Sequence, residues 1–390
     1  MPIERDESLM EIGAFAEELT AIRRDIHQHP ELGLQEKRTS DLVARELEAL
    51  GLEVHRHIGV TGVVAVLEGS ASGKTIGLRA DMDALPMQEK TNLPYASRNS
   101  GLMHACGHDA HTAMLLGAAR YLASKKQQCA KVVFIFQPAE EGLGGARAMI
   151  ADGLFERFPC DEIYAIHNDP SGVLGEVKVN TGTAYAGADF FDVNVTGTGA
   201  HAAYPHEGSD VIAATAALVE GFNSIVSRSV ASHQQVVLSV TKMTAGTAYN
   251  VMPDEAEFGG TTRFLSEETG EELRQKMRAM GDGVGRMYGV EVTVTFDQVF
   301  GVLKNDPDCA DGAHEIATDI LGNGLCRKIT QADMGSEDFA DMLKIVPGAY
   351  FTLGHGETVP LHNPGFLIDD RMLPIGAALY GEIALTRSRS

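Results

Sequence analysis

The sequence predicts an α/β protein of two domains: a larger layered α/β domain made of residues 1–186 and 300–390, and a ferredoxin-like domain inserted at 187–299. Three observations predict it. A chain of 390 residues is too long for one ordinary core. Its two ends alternate helical spacing with short apolar strands, the pattern of stacked α/β layers. Between about 187 and 299 the order becomes strand, helix, strand, strand, helix, strand, the βαββαβ unit of a ferredoxin-like fold.

Taken in order, EELTAIRRDIHQHP (17–30) and TSDLVARELEALG (39–51) carry apolar residues at helical spacing, with Thr39 or Ser40 the expected N-cap of the second. Four short apolar runs follow as strands: GVVAVLEG (62–69), KTIGLRAD (74–81), KVVFIFQ (131–137) and DEIYAIHN (161–168). The helix-like AHTAMLLGAARYLAS (110–124) lies between the second and third. The inserted domain reads DFFDVNVTG as strand, SDVIAATAALVEGFNSIVSRS as helix, QVVLSVTKMTAG and AEFGGTTRFL as strands, TGEELRQKMRAMGDGVGRMYG as helix and EVTVTFDQV as strand. The α/β pattern then resumes with CADGAHEIATDILG and SEDFADMLKIVPGAYFTLG.

Composition narrows the function. A formal net charge of −22 argues against nucleic-acid or anionic-membrane partners, which need a basic footprint. No run of about 18 apolar residues occurs, and the acidic N-terminal stretch MPIERDESLMEIGAF has no apolar segment behind basic residues. The five cysteines are odd in number and scattered, which fits a reducing compartment, so a cytoplasmic protein is expected.

Three strands run into residues able to bind metal: IGLRAD into Asp81 and Asp83, VVFIFQPAEE into Glu140 and Glu141, and EIYAIHN into His167. In open α/β sheets, sites form beyond the carboxyl ends of strands. Between them lies HACGHDAH (104–111). As a helix it would align His104, His108 and His111 but turn Cys106 and His108 roughly 200° apart. As a loop it would let Cys106 and His108 grip one metal centre; Gly107 and an apolar periodicity that begins only near Ala110 favour the loop. Of the acidic pair, one glutamate would ligate a metal and the other act as base toward water that the metal activates. His167 reads either as a ligand or as support for one, and His362 as a histidine in a polar loop. Asp83 either orients a ligating histidine or caps the ALP turn. Cys106 as a nucleophile with His108 or His111 as base explains less, because that chemistry leaves the other acids and histidines unused.

RADMDALPM, HACGHDAH, FQPAEEGLGGA, GTGAHAAYPHEG, NVMPD, GTTRF, MGSEDF and LHNPGF resemble, in order, the motif series of the aminoacylase-type metallopeptidase family. The similarity is to its amidohydrolase branch of hippurate hydrolases, N-acyl-amino-acid hydrolases and plant auxin-conjugate hydrolases, and runs from about Arg23 to about Asp369. It implies a hydrolase with two divalent metal ions per subunit (Zn, Mn, Ni or Co) that splits N-acyl amino acids. By the same resemblance Cys106, His108, Glu141, His167 and His362 are the metal ligands, with Cys106 standing where other branches use a bridging carboxylate. Glu140 is the general base, while His104 and His111 match no ligand. The inserted domain becomes a lid and dimerisation domain of a homodimer, and His201 stabilises the oxyanion in the partner subunit's site. Asn250 and Arg263 hold the substrate carboxylate.

Two positions depart from the pattern: Asp169 beside His167, which would turn side-chain preference toward a cationic group, and Ala340 after SEDF, expected to matter little. The alternatives on this scaffold are a metallocarboxypeptidase or dipeptidase and an N-acetyl-diaminopimelate deacetylase. A non-catalytic binding protein fits poorly, since every ligand type and the base are present.

Overall fold

The structure, a computed structural model, describes residues 6–389, so the first five residues of the N-terminal stretch and Ser390 lie outside it. The chain divides into two compact units. One takes the residues up to Ala184, Lys304–Gln331 and those from Asp338 onward; the other takes Tyr185–Leu303 and Ala332–Glu337.

The first unit is built on an eight-stranded mixed sheet, in the order Glu53–Ile58, Gly62–Leu67, Val132–Gln137, Ile76–Asp81, Glu162–Asp169, Gly348–Gly354, Val177–Asn180 and Cys326–Ile329. Its four central strands, Val132–Gln137 through Gly348–Gly354 in that order, are mutually parallel. Ile76–Asp81 and Val132–Gln137 are buried at every position, as strands covered on both faces are. Parallel direction gives these strands a common carboxyl edge, where Asp81, Gln137 and His167 arrive. The helix His108–Ser124 packs against the C-terminal helix Met372–Arg387. The approach is close: a Cβ on Gly117 would fall 2.9 Å from that of Ala377.

Thr39 and Ser40 are not caps. The helix starts earlier, at Lys37, because the Glu31 carboxylate reaches in from the preceding segment. It accepts from Arg38 N at 3.0 Å and Thr39 N at 2.9 Å, serving the free first-turn donors from outside the helix. The periodicity of 39–51 gave no sign of that long-range carboxylate.

At the opposite end of the sheet Glu162 ties the C-terminal helix down. It accepts from Arg387 Nε and NH2 at 2.9 and 2.8 Å, Lys74 Nζ at 2.8 Å and Tyr164 Oη at 2.6 Å. Burial works against its ionisation, but these donors outweigh it and draw the carboxyl down to about 2. A depressed folded-state pKa contributes stability that is complete above the ordinary glutamate value and is lost as pH falls toward about 2. Glu162→Gln is therefore expected to cost about 2 kcal/mol at pH 7, with the gap to wild type narrowing as pH falls below about 4. Urea midpoints of both proteins at pH 7 and pH 3 check this; an equal gap at both would count against it.

In the second unit the strands Gly187–Thr196, Val236–Ala245, Glu255–Phe264 and Glu291–Phe300 form an antiparallel sheet in the order second, third, first, fourth. That is the ferredoxin-like arrangement. Phe191, Val193 and Val195 of the first strand pack with Phe258 under the helices Val211–Ser224 and Glu267–Tyr288, while Phe190, Asp192 and Asn194 face away. Asp210 and Ser266 cap those helices, and Gly289, at φ 64°, closes the longer one. The helix expected over 209–229 ends at Ser224 and continues as a π-helical turn, Ile225–Ser229. Among the described residues no helix is long and apolar enough to cross a membrane.

Candidate metal centre

HACGHDAH is divided between the two expected conformations. His104 to Gly107 form a loop and the helix starts at His108, two positions before the apolar periodicity. Gly107 makes the turn at φ 94°, where a Cβ would lie 2.2 Å from Asn168 Nδ2. Only glycine suits that backbone and that space. Cys106 and His108 therefore straddle a loop-to-helix junction and converge.

The ligand atoms of Cys106, His108 and His167 lie within 4.8 Å of one another, and so do those of Cys106, Glu141 and His362. Cys106 Sγ, 3.5 Å from His167 Nε2, belongs to both groups. Glu141 Oε1 is 3.1 Å from His362 Nε2. A third group, His108, Glu140 and Glu141, sets Glu140 next to these candidate donors. All six residues come from the first unit. His362 is brought in by its own backbone, which donates to Ala105 O at 2.9 Å.

The histidines are aimed by their other ring nitrogens. His108 Nδ1 lies 2.9 Å from Asp83 O, so it carries the proton, and Asp83 Oδ1 is 3.1 Å away. This turns His108 Nε2 into the cluster, buried and with no hydrogen-bond partner. His167 Nδ1 likewise donates to Asn168 O at 2.8 Å. Asp83 Oδ2 also accepts from Glu141 N at 3.0 Å, so one aspartate orients a residue of each group.

His111 is held differently. Its Nδ1 lies 2.6 Å from Asp81 Oδ1, and its Nε2 accepts from Asn168 N at 3.0 Å. Both nitrogens are engaged, and Asp81 is further bound by Arg79 at 2.8 Å. Asp81, His111 and Arg79 thus frame the centre. His104 is buried, and burial pushes it down to about 4, so it is neutral.

Thiolate, imidazole and carboxylate donors suit zinc and other first-row divalent ions, and His108 Nε2, buried without a hydrogen-bond partner and 3.8 Å from Asp81 Oδ2, is what a ligand atom should be. Burial pushes the Cys106 thiol up, with the Glu141 carboxylate adding to it. Hydrogen bonds to Cys106 and Glu141 raise His362 to about 10. Protons and cations compete for these atoms, so cation affinity must fall as pH falls.

Asp169 does not act as expected. Its carboxylate accepts from Ser171 N and Oγ at 2.8 and 2.6 Å and from Lys178 Nζ at 2.7 Å. It folds the turn after His167 and is already neutralised, leaving no spare charge for a cationic side chain. The pairing with Lys178, nine positions on, was the signal to look for.

His201, Asn250 and Arg263 belong to the second unit. His201 lies in the short strand Ala200–His201, paired with Val251–Met252, and Ala202 N donates to Asn250 O at 3.1 Å. His201 Nδ1 accepts from Ala203 N at 3.1 Å, and the residue is exposed. Arg263 is half-buried near the other end of the sheet, opposite Ala188, where its guanidinium donates to Thr261 Oγ1 and to Thr262 O. Glu255, at the His201 end, is eight strand positions away, roughly 26 Å at about 3.3 Å per residue. One chain therefore brings Asn250 to His201 but not Arg263 to either.

Residues 77–386 match the family model of peptidase family M20/M25/M40. The chain is 41% identical to a hippurate hydrolase of Campylobacter jejuni over 94% of this chain and 96% of that one. It is 36% identical to an N-acetylcysteine deacetylase of Bacillus subtilis, over 95% and 97%. Among solved structures it resembles the Bacillus subtilis YXEP protein, a dinuclear metal-binding peptidase of the M20 family, with a TM-score of 0.86, 33% identity and coverage of 97% and 99%.

Proposed function

Because the chain belongs to peptidase family M20/M25/M40 and is an amidohydrolase, we propose that it hydrolyses N-acyl amino acids to a carboxylic acid and a free amino acid at a centre of two divalent ions. The observation that carries this reading is the pair of ligand groups sharing Cys106 Sγ, with Glu140 beside them. Cys106, His108 and His167 would hold one ion, and Cys106, Glu141 and His362 the other. When bound, the ions lower the pKa of water and polarise the scissile carbonyl, and their identity lies among Zn, Mn, Ni and Co.

Glu140 takes a proton from the attacking water. It then returns that proton to the amide nitrogen as the C–N bond breaks, so that an amine leaves. Asp83 keeps His108 Nε2 pointed inward throughout. The developing oxyanion needs a donor aimed at it, and His201 of the partner subunit fills that role with its exposed ring. Arg263 and Asn250 bind the substrate carboxylate. Since one chain separates these two residues, the carboxylate site takes Arg263 from one protomer and Asn250 of the partner subunit, which requires a homodimer. We place the protein in the cytoplasm, where its five cysteines, all free, stay reduced.

A release assay comparing N-benzoyl and N-acetyl amino acids, dipeptides, and N-acyl amino acids with the carboxylate amidated tests this. N-acyl amino acids are expected to be cleaved at least about tenfold faster, as kcat/KM, than dipeptides or amidated analogues. Dipeptides cleaved as well or better would make the protein a dipeptidase.

A further inference from the structure

Beneath the loop that carries Glu140 lies a buried carboxylate that the mechanism does not use. Glu36 is fully buried; its Oε1 accepts from Ala139 N at 2.9 Å and its Oε2 from Thr61 Oγ1 at 2.6 Å. Ala139 immediately precedes Glu140, is fully buried, and holds φ at 54°, the left-handed region that an L-residue adopts only at a cost. Resting on the reading of Glu140 as the base, we propose that Glu36 is a positioning residue: its bond to Ala139 N holds this left-handed backbone and thereby aims Glu140.

Other bonds hold the far side of the base, Gly142 N to Glu140 O at 2.6 Å and Glu141 N to Asp83 Oδ2 at 3.0 Å, but the donor of Ala139 itself goes to Glu36. Ala139 O accepts from Gly145 N at 3.1 Å, closing the loop that holds Glu140 and Glu141. A Cβ on Gly145 would fall 1.6 Å from Pro138 O, and one on Gly33 would come within 3.0 Å of Ala139 Cα and Cβ. The turn leading to Glu36 is thus pressed against Ala139 on one side while Gly145 closes the other. Far beyond the loop, Asp338 Oδ2 takes Ala146 N at 2.9 Å and anchors its exit. At the entrance the anchor is Glu36, on the residue next to the base. Without it Ala139 N loses its buried acceptor, and the bond that helps offset the cost of the left-handed conformation is gone. The backbone then relaxes and Glu140 turns with it.

The test uses full-length, metal-loaded protein with N-benzoylglycine as substrate, recording kcat, KM, bound metal per chain and the unfolding midpoint. Glu36→Ala is expected to lower kcat by about a hundredfold, the cost of a misplacement near 1 Å, with KM and bound metal little changed. Glu36→Gln keeps an acceptor oxygen for Ala139 N and is expected to retain most of the rate. Glycine adopts the left-handed region freely, so the loss caused by Glu36→Ala should shrink at least about tenfold when measured in an Ala139→Gly background. Three results would overturn the inference: a lowered midpoint or metal content with kcat per loaded chain intact, no smaller loss in the Ala139→Gly background, or Glu36→Gln as slow as Glu36→Ala. Glu140→Ala, assayed alongside, separates the two levels. If it retains its rate, the base assignment fails; if it is inactive while Glu36→Ala is not, only the positioning role fails.

Discussion

Replacing Cys106 with alanine is expected to strip both metal ions, because its sulfur is the one atom the two ligand groups share. Without it, His108 and His167 remain on one side and Glu141 and His362 on the other. Two ligands each cannot hold a first-row ion against water in a site shaped for three. Removing even an outer hydrogen-bond partner of a ligand typically costs about 10–100-fold in affinity, so loss of the bridge should exceed about a hundredfold at each position. Turnover should vanish with the metal. Cys106→Asp restores an anion able to bridge and should hold more metal than Cys106→Ala, though with altered affinity. Metal-to-chain ratios after gel filtration, with competition titrations, measure this. The experiment also tests a nucleophilic role: were Cys106→Ala to keep two ions per chain and lose only its rate, the thiol would be a nucleophile, not a ligand.

The second large effect falls on Glu140. It is buried, lies among the ligand atoms and belongs to neither of the groups that share Cys106. Glu140→Ala and Glu140→Gln should therefore retain both ions while kcat falls by about 10³-fold, within the range of about 10²–10⁴ for a positioned acid–base. That loss corresponds to about 4 kcal/mol of transition-state stabilisation. KM should change little, because Asn250 and Arg263, the residues proposed to hold the substrate carboxylate, belong to the second unit. Single-turnover rates on metal-quantified samples make the measurement, and a Glu140→Gln protein within tenfold of wild type would remove the base from the mechanism.

The parts of this site legible in the sequence are those set by local pattern. Buried strands ending at Asp81, Gln137 and His167 show as short, mostly apolar runs, and their alternation with helical spacing marks the α/β layers. Gly107 marked the turn between Cys106 and His108 because no other residue suits that φ. What stayed hidden depends on contacts distant in sequence. The early helix start at Lys37 comes from Glu31, outside the helix, and the neutralisation of Asp169 comes from Lys178 on the next strand. The same holds for the support of Ala139 by Glu36, a hundred positions upstream. An alanine in QPAEEG carries no sign of a left-handed backbone, since strain of that kind is set by what presses on it. Asn250 and Arg263 resemble a single carboxylate grip when read along the chain, and only the strand register separates them.

The most direct test of the shared sulfur is a cobalt(II) titration of metal-stripped protein, followed by the thiolate-to-cobalt charge-transfer absorbance in the near ultraviolet. With Cys106 common to both ligand groups, the band should grow through two equivalents of cobalt per chain and be absent from Cys106→Ser. A band that saturates at one equivalent, or that persists in Cys106→Ser, would contradict a thiolate-bridged pair of ions.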